Sequence, residues 1–403
     1  MRPLALLGLL VAFSIPSWAQ DDIRKELQTR FIMAEAGDTI DVPAGNFISS
    51  GAISLDEKEN IVIRGAGMDQ TLISFKGQTD GAEGIRVDNS KNITLMGMTL
   101  QDARGDLIKV MNTQGIQIID VKVEWTGKPK KSNGAYGFYP VACEDVLIDR
   151  CVAIGASDAG VYVGQSHNIL VSNTVAYRNV AGIEIENSTM ADVRNCEAYE
   201  NTGGILVFDL PDLPKKAGGN VRVYDNYVHD NNYKNFAPEG NSVAFVPPGT
   251  GVIILATNQV EVYQNRIEDN QSFSMAIVSY YLTERPINDD AYYPYPTGIF
   301  VHDNQFKRER TRPTLKHKLG LLATKLFGKD LPHIWYDGIP DGDRLGESGF
   351  YEGEDRICIQ GNENESFVNL DAENDFKNVS TELVGFNCSQ PALMVPAILK
   401  GKK

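Results

Sequence analysis

Five polar side chains at one register position of a recurring short strand could act on a sugar. Aligned on a leading glycine or its equivalent, residues 84–88, 107–111, 137–141, 160–164, 182–186 and 204–208 carry Arg86, Lys109, Tyr139, Tyr162, Glu184 and Leu206 third. The fifth position holds Asp88, Met111, Val141, Gly164, Glu186 and Phe208, with Gln165 and Asp209 just beyond. The second and fourth positions are apolar, so strand alternation points them inward and turns the third and fifth toward solvent. Such a strip suits β-elimination on a uronate. Arg86 would neutralise the carboxylate, Lys109 or a tyrosine (Tyr139, Tyr162) would take the α-proton, and a tyrosine would protonate the leaving oxygen. Tyr136, Asp158, Gln165, Glu184, Glu186 and Asp209 would bind the substrate. A solvated sheet face carries the same residue types, so the strip alone leaves both readings open.

Metal chemistry has less to stand on. The five histidines show no paired ligand spacing, and no nonapeptide calcium repeat is present. No cofactor is assigned. Calcium held by Glu184, Glu186, Asp209 and backbone carbonyls is the one alternative.

A strip of this kind exists only if successive segments stack. Gly160, Gly182 and Gly204 are spaced by 22 residues, each preceded by an Asn- or Asp-led apolar alternation. Strands of four to five residues cannot bury a face alone, and a fixed period near 22 is the mark of a solenoid. Spaced leucines and a helical half-unit are missing, which removes the leucine-rich alternative. The fold class is therefore all-β, a right-handed single-stranded parallel β-helix. Stacking places equivalent residues about 4.8 Å apart. Asp120, Arg150, Asn173, Asn195, Asn226, Asn265 and Asn304 are expected to form one column, an internal amide ladder at a bend.

The 403 residues hold 38 basic and 53 acidic side chains, a net charge of −15. That balance disfavours holding nucleic acid or an anionic membrane by general electrostatics. Residues 1–19 carry one positive charge, a short apolar run and Ser17-Trp18-Ala19, and read as a signal peptide cut after Ala19. No later segment has the length of a membrane span, so a periplasmic or secreted monomer is expected. Of five cysteines, Cys358 and Cys388 would close a loop in a weakly patterned C-terminal segment. Cys151 and Cys196 share a column two rungs apart, about 9.6 Å, beyond the roughly 7 Å limit for a bridge, so they and Cys143 stay buried thiols.

The expected organisation is an N-terminal cap and first coil over 20–50 and the β-helix over 51–306. A basic amphipathic helix and loop over 307–345 and a disulfide-bearing segment with its tail over 346–403 complete it. Residues 23–33 form the capping helix. Excursions at 125–135, 208–220, 230–248 and 272–297 leave as loops, the last carrying five tyrosines that either bind sugar or pack the loop. Leu315, Leu319, Leu322 and Leu326 share a face of the basic helix, either a plug over the C-terminal end or a docking element for a partner or lipid surface.

The segments Ala156 to Ser166, Ala181 to Ser188 and Gly203 to Pro211 resemble a family of exported bacterial parallel β-helix repeat proteins without assigned activity, over most of the chain. More distantly they resemble the carbohydrate-binding and sugar-hydrolase repeat superfamily. That group includes mannuronan C5-epimerases, alginate lyases and the periplasmic maturation protein of nitrous oxide reductase. Tyr136 to Val141 is similar to the epimerase motif Tyr-Gly-Phe-Asp-Pro-His, but Tyr139 stands at the aspartate and Val141 at the histidine. The resemblance thus implies a sugar-handling scaffold without epimerase proton exchange. Two functions remain: a polysaccharide or oligosaccharide binder that cleaves its ligand as a lyase, and a non-catalytic periplasmic scaffold or maturation factor docking a protein partner.

Overall fold

A computed structural model describes residues 22–309, 313 and 318–399; the expected signal peptide and Leu315 lie outside them. Short parallel strands joined by sharp bends stack into a β-helix. One face is an eleven-stranded parallel sheet, and the other two sides of each coil form a continuous nineteen-stranded sheet. The 22-residue spacing appears as register: Val161 pairs with Ile183 and Ile183 with Ile205, and Tyr162 pairs with Glu184 and Glu184 with Leu206. Branched side chains from every coil, such as Ile85, Val163 and Ile205, fill the interior with no exposure.

The ladder begins in the expected first coil and runs on past 306. Strands Thr39–Val42 and Gly45–Ile48 begin it, and Ile334–Tyr336, Ile357–Gln360 and Phe367–Asn369 continue both sheets after the basic segment. The basic segment between Lys307 and Ile334 hides this continuation from a period-based reading. Likewise, the excursion expected over 272–297 opens with a ladder strand, Phe273–Val278, and leaves only after it.

The column of bend residues also differs from expectation. Asp120, Arg150, Asn173 and Asn195 take left-handed conformations, φ 50 to 53°, in one column continued by Asp225, Gln264 and Asp303. Asn226, Asn265 and Asn304 stand one residue later, in line with Cys151, Thr174 and Cys196, and point inward. There the Asn226 amide donates to Asn265 Oδ1, Asn265 to Asn304 and Asn304 to Asn362, each at 2.9 Å. A second buried ladder links Asn179, Asn201, Asn231 and Asn270 at 2.9 to 3.1 Å. Both Asn positions favour a bend, the first because Asn tolerates the left-handed region and the second because its amide satisfies buried backbone, so composition merges them.

The N-terminal end is closed against edge pairing. Helix α1, Arg24–Met33, buries Leu27 and Phe31 against the first coil. Its Gln28 amide exchanges two hydrogen bonds with the Ser54 backbone, at 2.9 and 2.8 Å, as a neighbouring strand would. Cys358 and Cys388 form the expected disulfide, and Cys143, Cys151 and Cys196 remain buried thiols. Helix α2, Lys318–Phe327, does not cap the end of the solenoid. It lies on the outward face of the eleven-stranded sheet, with Ala323 buried and Phe327 edge-on to Trp335 at 5.4 Å. Arg308 is spent inside the fold, donating to the carbonyls of Leu331 and Pro332. No helix among the described residues is long and apolar enough to cross a membrane.

Asn265 gives the ladder a measurable weight. Asn265→Ala leaves the amide donors of Asn226 unmet in a dry interior, and unfolding should become easier by about 2–4 kcal/mol in chemical denaturation. A loss below about 0.5 kcal/mol would show that the ladder is incidental.

Candidate functional site

The outward face of the eleven-stranded sheet changes character along the solenoid axis. In the third column Arg86 is exposed and Ser54, Lys109 and Tyr139 are half-buried, whereas Tyr162, Glu184 and every later member are at most 4% exposed. Strand alternation correctly turns these residues out of the coil, but Tyr162, Glu184, Leu206, Glu186 and Phe208 do not reach solvent as expected. The inserted loops roof them. Asn241 from 230–248 donates to Asp158 Oδ2 at 2.7 Å, and Tyr292 of the tyrosine-rich excursion donates to the Asp209 carbonyl at 2.5 Å. Asn187 fastens the intervening loop through Leu210 and the Lys215 carbonyl. Tyr280 and Tyr292 are buried, so this excursion packs the scaffold, while Tyr281 stays exposed.

At the open edge, Lys109 Nζ lies 3.7 Å from Glu83 and 3.8 Å from Asp106, and 5.5 Å from the centre of the Tyr139 ring. The two acids are tuned apart. Burial pushes Asp106 up to about 6, outweighing the pull of Lys109. For Glu83, partial burial is outweighed by backbone N–H donors and the charges of Lys109 and Arg86, which hold it below the usual range. Arg86 is not a free cation, since its guanidinium Nε donates to Asp88 at 2.5 Å.

Behind this edge three tyrosines form a wall. Tyr136 and Tyr139 stack with ring centres 4.2 Å apart, and Tyr162 tilts against both at 4.7 and 5.0 Å. The Tyr162 ring lies along the strand over Gly164, where a Cβ would run into its hydroxyl and ring carbons. That lets its hydroxyl donate to Glu186 Oε1 at 2.5 Å. Burial and the surrounding carboxyl groups raise all three phenols, Tyr139 to about 12. They are proton donors here rather than bases.

The roofed carboxyls need protons. Burial raises Asp158, Glu186 and Asp209 to about 7, helped at Asp158 and Glu186 by neighbouring carboxyls, and raises Glu184, wholly buried, well above the carboxylate range. Glu186 is the largest electrostatic neighbour of Glu184, and Glu184 Oε2 is buried with no hydrogen-bond partner. Among the described residues no group of three His, Cys, Asp or Glu is arranged to hold a metal.

The structure therefore brings Lys109, Tyr136, Tyr139, Tyr162, Asp158, Glu184 and Glu186 into one continuous cluster, with Asp209 at its roofed end. Arg86 stands one rung beyond Lys109 on the open side. Gln165 sits at a strand end with φ +52° and its N–H on the Glu186 carbonyl, outside the tyrosine wall. Sequence reasoning missed Glu83, Asp106 and Asn241. The first two stand three residues before Arg86 and Lys109, a repeated offset that was readable; Asn241 enters from an insertion with no register of its own.

Residues 50–212 match the family model described as a right-handed β-helix region. The A-module of the mannuronan C-5 epimerase AlgE6 from Azotobacter vinelandii superposes with a TM-score of 0.52 and 18% identity, covering 85% of this chain and 95% of that one. The AlgE4 A-module from the same organism gives 0.49 and 16%, covering 85% and 91%. A hyperthermoactive exopolygalacturonase from Thermotoga maritima gives 0.45 and 13%, covering 71% and 82%. No curated protein matches the sequence. The fold is thus a right-handed parallel β-helix.

Carboxyls whose folded values are raised stabilise the fold while protonated, and that contribution is lost as pH rises from the unfolded value near 4 through about 7. The thermal midpoint should fall between pH 5 and 8. Glu184→Gln should flatten that fall and gain roughly 1–3 kcal/mol at pH 8. A midpoint that rises over this range would contradict the assignment.

Proposed function

We propose that this right-handed parallel β-helix binds a carbohydrate chain along the open strip from Arg86 to Tyr139 and cleaves a glycosidic bond at Lys109. The observation that carries the reading is the split pair on either side of one ammonium: Asp106 raised to about 6 and Glu83 lowered. Two carboxyls tuned apart are what glycosidic cleavage requires, one holding a proton for the leaving oxygen and the other an anion at the sugar carbon or at a water. Asp106 is the donor and Glu83 the base or nucleophile. Lys109 positions both, and the Tyr139 ring and hydroxyl serve as a platform for the sugar.

β-Elimination on the same strip is less well supported. Lys109 would have to leave two ion pairs to accept a proton, and Arg86 would have to leave Asp88 to meet a uronate. The net charge of −15 also repels a polyanion. A neutral glycan fits better. The epimerase module that shares the fold is by its name a mannuronan-modifying protein, which supports a carbohydrate ligand on such a scaffold. The Cys358–Cys388 bridge supports export.

A panel of neutral and uronate polysaccharides, followed by reducing ends and by ultraviolet absorbance of unsaturated uronates, tests the reading. Reducing ends without absorbance are expected, with activity falling above about pH 6 as Asp106 ionises. Asp106→Asn and Glu83→Gln should each lower turnover by about 10²–10⁴ with little change in thermal midpoint. Unchanged turnover in Asp106→Asn, or unsaturated products, would overturn this assignment.

A further inference from the structure

The outward strip is open at one end and shut at the other, and the shut end lies next to the cleavage pair. Toward the N terminus Asp56, Arg86, Asn89 and Asn112 are exposed and no excursion crosses the sheet. One rung past Tyr139 the exposure stops: Tyr162 is 4% and Asp158 5% exposed. The barrier is tied down. Asn241 bonds Asp158 at 2.7 Å, Arg285 donates to the Asn241 carbonyl at 3.0 Å, and the Arg285 guanidinium lies 5.9 Å from the centre of the Phe245 ring. Two separate insertions thus brace each other across the strip.

We infer that the site reads the end of a carbohydrate chain, so that the protein is exo-acting and releases one or two sugar units at a time. This inference rests on the proposed cleavage at Lys109 and adds where along the chain cleavage occurs. A polymer lying along the sheet axis can leave only over the N-terminal coils, because the 230–248 and 279–296 excursions block the other direction. Lys109 pairs in register with Tyr139, and Tyr139 stands directly before the blocked rung. At about 4.8 Å per rung, the space between the carboxyl pair and the barrier takes one sugar, or two if the chain tilts outward. The terminal unit then rests on Tyr136 and Tyr139. A mid-chain unit cannot reach this place, since its continuation would have to pass through Asn241. The barrier, rather than the cleavage pair, therefore sets the product length.

The test uses the full-length mature protein and linear hexasaccharides of glucose, mannose, mannuronate and galacturonate, each labelled at the reducing end. Each is also supplied with its non-reducing terminus blocked or its reducing end converted to the alditol. The inference predicts that any hexasaccharide that is cleaved yields mono- or disaccharide as the first product, and that blocking one terminus abolishes cleavage while blocking the other does not. Saturation-transfer NMR should show the strongest contact on that same terminal unit. Trisaccharides from the interior in the first turnover, or equal cleavage of both blocked forms, would overturn the closed end while leaving the cleavage pair standing. Absence of both cleavage and binding across the panel would defeat the closed end and the site reading together. Asn241→Ala combined with Arg285→Ala should shift first products toward longer fragments without a loss of total turnover. If that variant unfolds, the blocked hexasaccharides still decide.

Discussion

Register between coils is the constraint on which the rest of this protein depends. Each coil of a parallel β-helix is placed mainly by its match to the next, and a slip of one residue would exchange its inner and outer faces. The buried amide ladders through Asn265 and Asn231 hold that match at two bends of every coil they cross. They satisfy backbone groups that a sharp bend would otherwise strand in a dry interior. Because the register is held, Lys109, Tyr139, Tyr162 and Glu184 fall on one line, and residues from four separate coils become a single surface.

The same regularity creates an electrostatic difficulty. Once the loops exclude water, acids on adjacent rungs cannot all ionise, and burial raises Asp158 and Glu186 to about 7 and Glu184 further. Tyr162 reaches Glu186 only because Gly164 leaves room for its ring, so a missing side chain shapes the cluster as much as those present. The open edge, where Lys109 and backbone donors act, splits Glu83 from Asp106 instead. A roofed set of raised carboxyls and a half-buried acid–base pair therefore sit side by side on one strip, separated by a tyrosine wall.

Much of this architecture is legible in the sequence. The glycines at 160, 182 and 204 yield the period, the alternation yields the inward face, and the rung count separates Cys151 from Cys196 while the C-terminal cysteines pair. What does not survive is instructive. Asn173 and Asn226 look alike in sequence but serve two adjacent columns, one for backbone conformation and one for hydrogen bonding. The outward direction of Tyr162 and Glu184 follows from alternation, but their burial depends on insertions that obey no period. For the same reason the solenoid's return after the basic segment, and Asn241's place above Asp158, are visible only in three dimensions. The offset that sets Glu83 before Arg86 and Asp106 before Lys109 is periodic, and it was available to a reading that looked upstream of the glycine.

Exclusion of water from the sheet face raises Glu184 well above the carboxylate range, so that it keeps its proton at neutral pH. Infrared difference spectroscopy at pH 7, wild type minus Glu184→Gln, measures this directly through the C=O stretch of neutral carboxylic acids. The account predicts such a band in the wild type that is lost from the variant. A carboxylate band in its place would mean that the roofed acids are ionised and that the face is open to water.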